Sequence, residues 1–265
     1  MITEKRITEW DEFDSIIRRR AHRAWVYRGH SDAAWDLASS LYRAFKDVIT
    51  ITRLTGSPGK KINRNGHERL ALERFMSNAH LYLNHTPKED DALSWLAIMQ
   101  HYGAPTRLLD FTFSPYVAAY FALNGDSGDA AIYSLKHSVL REIDADYYED
   151  VDQMYKNLLS KGKDDFLYVY EPRFTTQRLL AQQGLFVIPS TNDKSHAKII
   201  DSYSLKDNEM VKYIIPKKLR RAGLKRLNKM NITSTMLFPG LEGFCMSFKY
   251  QSLFPLFMEK RIGEL

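Results

Sequence analysis

The clearest fold signal in the chain is residues 114–125, which read SPYVAAYFALNG. Serine is favoured immediately before a helix and proline at its first position, so a helix is predicted to begin at Ser114-Pro115. The apolar surface of this segment is nearly continuous, and its three alanines allow close packing. A helix that is apolar on all sides is buried, so we expect this one to be the central helix.

Apolar residues at helical spacing predict three further helices on the N-terminal side of this one. The first opens at Thr8, with Asp11 as its capping-box partner, and the others cover residues 67–84 and 91–102. Residues 52–66 are polar, contain glycine and proline and show no period, so they predict a loop. Helices are therefore expected to dominate the first half of the chain.

Strands are predicted mostly in the second half of the chain, after one short strand at residues 25–27. The later strands are expected at residues 130–135, 166–170, 185–188 and 211–215. Because strict alternation of strands and helices is missing, the pattern favours a single mixed α+β domain over a doubly wound fold. The expected division is an N-terminal helix (1–19), a main domain (20–250) and a C-terminal tail (251–265).

The composition indicates a globular protein of a reducing compartment. The chain has 265 residues, and 44% of them are hydrophobic, which is enough for a core and too many for a disordered chain. A single cysteine, Cys245, excludes a disulfide framework and a cysteine-based zinc site. No apolar run approaches the roughly 18 residues of a membrane helix, and the charged N-terminus differs from a signal peptide. We therefore expect a cytoplasmic protein without a membrane partner.

The net charge of +6 is concentrated in one segment. Residues 206–229 contain nine basic and two acidic residues, a local charge of +7, so the rest of the chain sums to −1. The cations of the helix predicted after Pro216 are Lys217, Lys218, Arg220, Arg221, Lys225 and Arg226. They could contact nucleic-acid phosphates, or they could form a solvated helix face opposite the acidic segment 142–152.

Two polar segments carry the candidate site, since the common signatures of phosphate-binding loops, dinucleotide folds, zinc hydrolases and serine hydrolases are absent from the sequence. In residues 27–43, Arg28 lies at a strand end beside Gly29, where the backbone can approach a ligand closely. In residues 100–114, a helix end, a turn and a second helix N-terminus come together, and such an N-terminus binds anions. Both segments favour a site for phosphate binding and proton transfer.

The same residues also have structural interpretations. Arg28 or Arg107 could form a buried ion pair with Asp110. His101 could cap a helix end, and Ser114 is expected to be an N-cap whatever else it does. A binding site requires these side chains around an open pocket, whereas a structural role requires them to be dry and paired with one another.

At these residues the sequence resembles the FRG domain family of bacteria and phages, named for a Phe-Arg-Gly motif that here reads Tyr27-Arg28-Gly29. Residues 95–123, WLAIMQHYGAPTRLLDFTFSPYVAAYFAL, resemble the family's second motif, a Gln-His-x-Gly-x-Pro-Thr-Arg-Leu-Leu-Asp segment before a helix. Glu68, the segment 178–186 and MLFPGLEG at 236–243 resemble further family elements. The resemblance covers about residues 20–250 and implies little chemistry by itself, although the family occurs near toxin and phage-defence genes.

A more distant resemblance, to ADP-ribosyltransferases, implies a role for the site. In those enzymes an Arg or His on a first strand holds NAD, a strand bearing Ser follows, and a late Glu orients the nicotinamide ribose. Tyr-Arg-Gly is similar to the first element and residues 112–114 to the second. The Gln183 region carries no carboxylate, so Glu171 and Glu242 are candidates for the third element. The resemblance implies an ADP-ribosyltransferase-like fold with NAD as substrate and no metal.

The candidate site residues fall into two groups. The expected catalytic residues are Glu68, His101, Asp110, Glu171 and Glu242. The expected substrate-binding residues are Tyr27, Arg28, Gly29, His30, Tyr42, Arg43, Gln100, Arg107, Thr112, Ser114 and Gln183. Three functions are compatible with the sequence: an NAD-using transferase or glycohydrolase, a nucleic-acid binder, and a sensor or interaction module that does no chemistry.

Overall fold

Seven strands of the computed structural model form one mixed sheet. In chain order they are β1 (Thr3–Arg6), β2 (Trp25–His30), β3 (Leu109–Thr112), β4 (Ala130–Lys136), β5 (Leu167–Tyr170), β6 (Gly184–Pro189) and β7 (Met210–Ile215). Their order across the sheet is β1-β7-β4-β2-β3-β6-β5, with β1 and β7 parallel and the other neighbours antiparallel. The structure describes residues 2–54, 63–125, 128–143, 165–172 and 176–251, without the side chains of 50–54, 143 and 249–251.

The helices of the described ranges cover both faces of this sheet. In chain order they are α1 (Trp10–Arg18), α2 (Ser40–Leu54), α3 (Arg64–Ala79), α4 (Ala92–His101), α5 (Pro115–Leu123), α6 (His137–Ile143), α7 (Gln177–Ala181), α8 (His196–Ser202), α9 (Arg220–Lys229), α10 (Ser234–Leu237) and α11 (Leu241–Gln251). A short 3-10 helix, Lys217–Leu219, precedes α9. This combination of a mixed sheet and packed helices confirms the predicted α+β domain.

The central buried helix predicted from the sequence is α5. Ser114 is its N-cap, and the Ser114 hydroxyl accepts a hydrogen bond from the backbone N–H of Val117 at 3.3 Å. Ala118, Ala119 and Ala122 are fully buried. Together with α1 and α9, α5 forms the apolar core on one face of the sheet, where it lies directly on β2 and β4.

Two further apolar clusters complete the core. The face of the sheet that carries Val26 packs against α6 and α8, whose Leu140 and Ile199 are fully buried. On the outer strands β5 and β6, the helices α3 and α4 contribute Leu72 and Leu96 to a cluster with Phe186. The candidate site lies where these clusters meet, because Tyr27, Phe111 and Phe186, one from each cluster, line it.

The strands β1 and β3 were not predicted from the sequence, and neither were the helices α2, α6, α8 and α10. β1 is an edge strand with exposed polar side chains, so it has no alternation of apolar residues. α1 begins at Trp10, and the capping interaction of Thr8 is made with Glu12 instead of the predicted Asp11. Glu12, four residues after Thr8, accepts hydrogen bonds from the Thr8 backbone N–H and hydroxyl. A capping box places the acidic partner only three residues after the N-cap, so the prediction named Asp11 instead.

Element boundaries also differ from the prediction in places. α3 begins at Arg64 instead of residue 67, because the Asn63 side chain accepts a hydrogen bond from the Gly66 N–H and caps the helix there. In the predicted loop 52–66, α2 continues to Leu54 and residues 55–62 lie outside the described residues. Residues 144–152 of the acidic segment and 252–265 of the tail lie outside them as well. None of the helices described is both long enough and apolar enough to span a bilayer.

β2 and β3 are neighbours at the centre of the sheet, yet they pair only at Tyr27 and Thr112. Beyond this point β2 continues from Arg28 to His30 and pairs with β4 alone, while the rest of β3 pairs with β6 alone. The two strands therefore diverge, and their unpaired edges face a common gap. Buried backbone N–H and C=O groups need partners, so side chains, water or a ligand must fill this gap.

Candidate functional site

The gap between β2 and β3 opens into a cavity of about 750 Å³. Its walls come from these two strands and from α2, α4, α5, α7 and β6. Ligand sites of proteins typically measure about 300–1,000 Å³, so the cavity has the size of a small-molecule site. A second cavity of about 180 Å³ shares part of this wall. The polar side chains that line both cavities are Arg28, Arg43, Gln100 and Asp110.

Arg28 spans the gap between the two strands. Its Nη1 donates a hydrogen bond of 2.6 Å to the backbone carbonyl of Asp110 and lies 3.7 Å from the carboxylate of the same residue. Its Nε donates to Nε2 of His30 at 3.0 Å. Among the described residues Nη2 has no hydrogen-bond partner, so this part of the guanidinium can bind a ligand.

His30 orients Arg28 as a neutral ring. The imidazole is buried, and burial followed by the positive charge of Arg28 lowers the pKa of His30 to about 3. The ring is therefore uncharged at physiological pH, and because its Nε2 accepts the bond from Arg28, its proton is on Nδ1. Trp35 and Tyr133 pack edge-on against it, with ring centroids at 6.2 and 5.0 Å.

Asp110 lies beside Arg28 and is held from the other side by α4. Nε2 of Gln100 donates to Oδ1 of Asp110 at 2.8 Å. The amide oxygen of Gln100 in turn accepts a hydrogen bond from the hydroxyl of Thr106. The Asp110 side chain is 61% exposed, so it lines the cavity with a carboxylate that has room for another partner.

The cavity carries an excess of positive charge. The basic side chains in its wall are Arg28, Arg43, Lys46 and Arg178, against the carboxylates of Asp36 and Asp110 among the described residues. Burial lowers the pKa of Arg28, the charge of Asp110 opposes this effect, and the like charge of Arg43 adds to it. The carboxylate of Asp110 offsets only part of the charge of these two neighbouring guanidinium groups, so they favour the binding of an anion.

Six aromatic side chains also line the cavity, namely Tyr27, Trp35, Tyr42, Phe111, Phe121 and Phe186. Trp35 is 55% exposed although it is large and apolar. An exposed indole ring beside a cationic cavity offers a face on which a planar base can stack. The cavity therefore combines anion-binding and base-binding surfaces.

His101 lines the cavity at the end of α4. Burial and then the positive charge of Arg178 lower the pKa of His101, and the charge of Glu242 partly opposes this shift. The ring is thus largely neutral at pH 7 and can accept a proton. Tyr102, not His101, occupies the C-cap position of α4.

The segment that builds most of this cavity matches a known protein family. Residues 23–131 match the family model of the FRG domain. The chain carries an FRG domain. The match is shorter than the resemblance over 20–250, and it includes β2, β3 and the helices α2 to α5. No curated protein and no solved structure matches the chain significantly.

The FRG domain brings both predicted polar segments to one cavity. The predicted site residues that line it are Tyr27, Arg28, Gly29, His30, Tyr42, Arg43, Gln100, His101, Asp110 and Thr112. All of them lie within the matched range. The elements α7 and β6 lie beyond that range and complete the wall with Arg178 and Phe186.

Four other predicted residues lie outside the cavity wall. Ser114 is the N-cap of α5, and Gln183, at a φ of 47°, turns the chain from α7 into β6. Glu171 forms an exposed ion pair of 2.5 Å with Arg23, and Glu242 is exposed in the first turn of α11. In the described part of the chain, neither of these glutamates lines the cavity, and no cluster of His, Cys, Asp or Glu could hold a metal ion.

Glu68 and Arg107 form a buried ion pair instead of lining the cavity. The Arg107 Nε donates to both carboxylate oxygens of Glu68, at 2.9 and 2.8 Å, and Nη2 adds a further bond. The two side chains are 2% and 0% exposed. Asn192 donates to Glu68 at 3.1 Å, and Arg107 also donates to the carbonyl of Pro189 at 3.3 Å. The ion pair considered between Arg107 and Asp110 is thus made with Glu68.

The cavity also contains residues that the sequence analysis did not select: Ser31, Trp35, Asp36, Lys46, Phe121, Thr176, Arg178, Gln182 and Phe186. A signal existed for Lys46, because it follows Tyr42 and Arg43 by four and three residues on α2 and so shares their face. Arg178 belongs to the segment 178–186 that resembles a family element, but it lies on a five-residue helix far along the chain, and that resemblance does not indicate that it lines the cavity.

The basic segment divides into structural and exposed cations. Arg220 is buried, and its guanidinium donates to carbonyl oxygens at the end of α5, of Gly128 and of Ser31. Arg226 forms ion pairs with two aspartates of α1. Of the six helix cations named from the sequence, the four exposed ones are Lys217, Lys218, Arg221 and Lys225. Arg220 cannot contact a phosphate without breaking its carbonyl bonds, so it does not belong to a nucleic-acid surface.

Proposed function

We propose that this FRG domain binds a nucleotide in the cavity, with an NAD-like dinucleotide as the ligand class, and acts on it as an enzyme. The observation that carries the proposal is the pair of neighbouring guanidinium groups, Arg28 and Arg43, in a wall that also carries six aromatic side chains. A diphosphate suits the unbonded Nη2 of Arg28 and the adjacent charge of Arg43. A base suits the exposed ring of Trp35.

Asp110 and His101 supply the chemistry in this proposal. When the bond between the sugar carbon C1′ and the nicotinamide nitrogen breaks, the electron pair leaves with nicotinamide and positive charge develops at C1′. The Asp110 carboxylate stabilises that charge, and His101 accepts the proton of the water or hydroxyl whose oxygen bonds to C1′. Asp110 takes the place of the late glutamate that the resemblance to ADP-ribosyltransferases implies, because Glu171 and Glu242 lie outside the cavity.

Replacing Arg28 by glutamine is expected to weaken the binding of NAD or ADP-ribose by about tenfold to a hundredfold. A hydrogen bond to a charged group contributes about 1.5–3 kcal/mol, and glutamine keeps a donor but loses the charge. Titration calorimetry of both variants at one salt concentration measures the change. Arg69→Gln is the matched control, because Arg69 is an exposed arginine of α3 away from the cavity.

A comparison of the native chain with an Asp110 variant distinguishes an enzyme from a non-catalytic sensor. We expect the native chain to release nicotinamide from NAD, and Asp110→Asn to abolish the release while the protein stays folded. Chromatography of the nucleotides after incubation gives the result. Tight binding by the native chain without any product would favour the sensor, and no binding by either variant would refute the nucleotide site.

A second candidate function is supported by four neighbouring exposed cations of the basic segment, Lys217, Lys218, Arg221 and Lys225. Four neighbouring positive charges on the surface suit the phosphate backbone of a nucleic acid. If they bind it, the logarithm of affinity falls with the logarithm of salt concentration at a slope of about −3 to −4.

Reversing these four charges to glutamate is expected to abolish nucleic-acid binding and its salt dependence. Fluorescence anisotropy with a labelled oligonucleotide measures both. The control variant reverses four exposed cations elsewhere, Arg19, Arg74, Lys88 and Lys198. Equal losses in the two variants, or an affinity that does not change with salt, would remove this candidate.

A further inference from the structure

The carboxylate of Asp110 stands close to Arg28 without closing on it. Oδ2 of Asp110 lies 3.7 Å from Nη1 of Arg28. Unrestrained Arg–carboxylate pairs normally close to about 2.7–2.9 Å, often with two parallel hydrogen bonds. The Asp110 side chain is also 61% exposed, so crowding does not keep the two groups apart.

Gln100 accounts for this separation. Its Nε2 donates to Oδ1 of Asp110 at 2.8 Å, on the oxygen that a bidentate contact with Arg28 would need. Oδ1 therefore already has a partner on the α4 side of the cavity, and Oδ2 lies 3.7 Å from the guanidinium.

The orientation of the Gln100 amide is itself fixed. Its oxygen accepts a hydrogen bond from the hydroxyl of the fully buried Thr106. The Thr106 oxygen also accepts from the backbone N–H of Leu108 at 3.2 Å, so the single hydroxyl proton is committed to Gln100. With its oxygen bonded to Thr106, Gln100 presents its NH₂ group to Asp110.

We propose that Gln100 is a positioning residue that holds Asp110 off Arg28, and so keeps an anion-binding guanidinium and a hydroxyl-binding carboxylate side by side. The inference rests on the proposed function and narrows its ligand class to a phosphorylated sugar, in which a hydroxyl lies near the phosphate. The phosphate binds Arg28, and the sugar hydroxyl donates to Asp110. A phosphate without such a hydroxyl meets the carboxylate as an uncompensated like charge.

Two probes that differ in the sugar test this assignment, namely ADP-ribose and inorganic pyrophosphate. In the native protein we expect ADP-ribose to bind more tightly. Asp110→Asn removes the negative charge and the strong acceptor, so pyrophosphate is expected to bind more tightly and ADP-ribose about tenfold more weakly. Asp207→Asn, an exposed aspartate outside the cavity, changes the net charge equally and should leave both affinities unchanged.

Gln100→Leu is expected to weaken both probes by about tenfold, since Asp110 then closes on Arg28 and neutralises it. The double variant Gln100→Leu/Asp110→Asn should bind pyrophosphate as tightly as Asp110→Asn alone, because it has no carboxylate to close. A merely structural role for Gln100 would leave the loss in place in the double variant. Gln100→Glu, which has nearly the same shape but no NH₂ donor, replaces the leucine variant if that one does not fold.

The outcomes distinguish a failure of the positioning role of Gln100 from a failure of the proposed nucleotide site. If the native protein binds neither probe, the proposed nucleotide site fails and the role of Gln100 fails with it. If the native protein binds ADP-ribose but Gln100→Leu and Gln100→Glu bind both probes normally, the site stands and the positioning role is wrong. If the double variant Gln100→Leu/Asp110→Asn binds pyrophosphate as weakly as Gln100→Leu does, the positioning role is also wrong.

Discussion

Replacing Arg107 by alanine is expected to lower the free energy of unfolding by about 3–5 kcal/mol. The guanidinium is fully buried and donates three hydrogen bonds to Glu68, whose carboxylate is buried with it. The substitution leaves the Glu68 charge in the interior without its cation, and the remaining donor from Asn192 does not compensate for it. Denaturant unfolding followed by circular dichroism measures the loss.

The control for Arg107 is Arg69, an arginine of an exposed ion pair on α3, the helix that also carries Glu68. Arg69 and Glu73 form a pair on the surface of α3 at 3.7 Å, with both side chains more than half exposed. Exposed pairs of this kind contribute about 0.2–0.5 kcal/mol, so Arg69→Ala should be nearly neutral. If Arg107→Ala were as mild as Arg69→Ala, the buried pair would have no structural role and Glu68 would again be a candidate for chemistry.

The ion pair also connects the candidate site to the rest of the fold. Arg107 lies between Thr106, which fixes Gln100, and the strand β3, which carries Asp110. Its partner Glu68 belongs to α3, and its bond to Pro189 reaches the end of β6. The polar residues of the second FRG motif thus divide into those that line the cavity, such as Gln100 and Asp110, and the buried Thr106 and Arg107, which hold the segment beneath it.

The sequence predicted the features that depend on neighbouring residues. The N-cap at Ser114, the buried helix α5 and the end of α4 at a left-handed Gly103, with a φ of 86°, follow from local chemistry. The clustering of site residues in two short segments was also visible, because each segment concentrates polar side chains between apolar ones. Both segments do line the cavity.

What the sequence did not reveal depends on contacts between distant residues. Arg107 has its ion-pair partner 39 residues away, at Glu68, whereas the nearby Asp110 is the partner that sequence proximity suggests. Arg178 enters the cavity from α7, which lies far along the chain from both polar segments. The gap between β2 and β3 is a property of strand register, which no short pattern encodes.

The glycine of the Tyr-Arg-Gly triplet is expected to be as sensitive as the arginine, for a different reason. A Cβ atom at position 29 would lie 1.9 Å from the carbonyl oxygen of Ala118 and 2.6 Å from the backbone nitrogen of Ala122. These two groups are four residues apart, the spacing of a helical hydrogen bond, so β2 packs against the backbone of α5 itself. Gly29→Ala should therefore destabilise the protein by about 3 kcal/mol.

The clash at Gly29 cannot be relieved by trimming a side chain. Because the opposing atoms belong to the backbone, Ala118→Gly should not rescue Gly29→Ala, and the double variant should be at least as unstable as the single one. The matched control is Gly128→Ala, since a Cβ there has no atom within 4 Å and the backbone is not left-handed. Chemical denaturation of the three variants compares them directly.

If Gly29→Ala proved as stable as Gly128→Ala, the close contact between β2 and α5 would be absent in solution. The position of Arg28 would then lose its explanation, because β2 reaches the gap only as a strand held against the buried helix. A loss of stability that Ala118→Gly does not restore would show that close packing on α5 fixes the strand. In that case Tyr27 provides the last pair to β3, Arg28 fills the gap beyond it, and Gly29 allows both to lie on the helix.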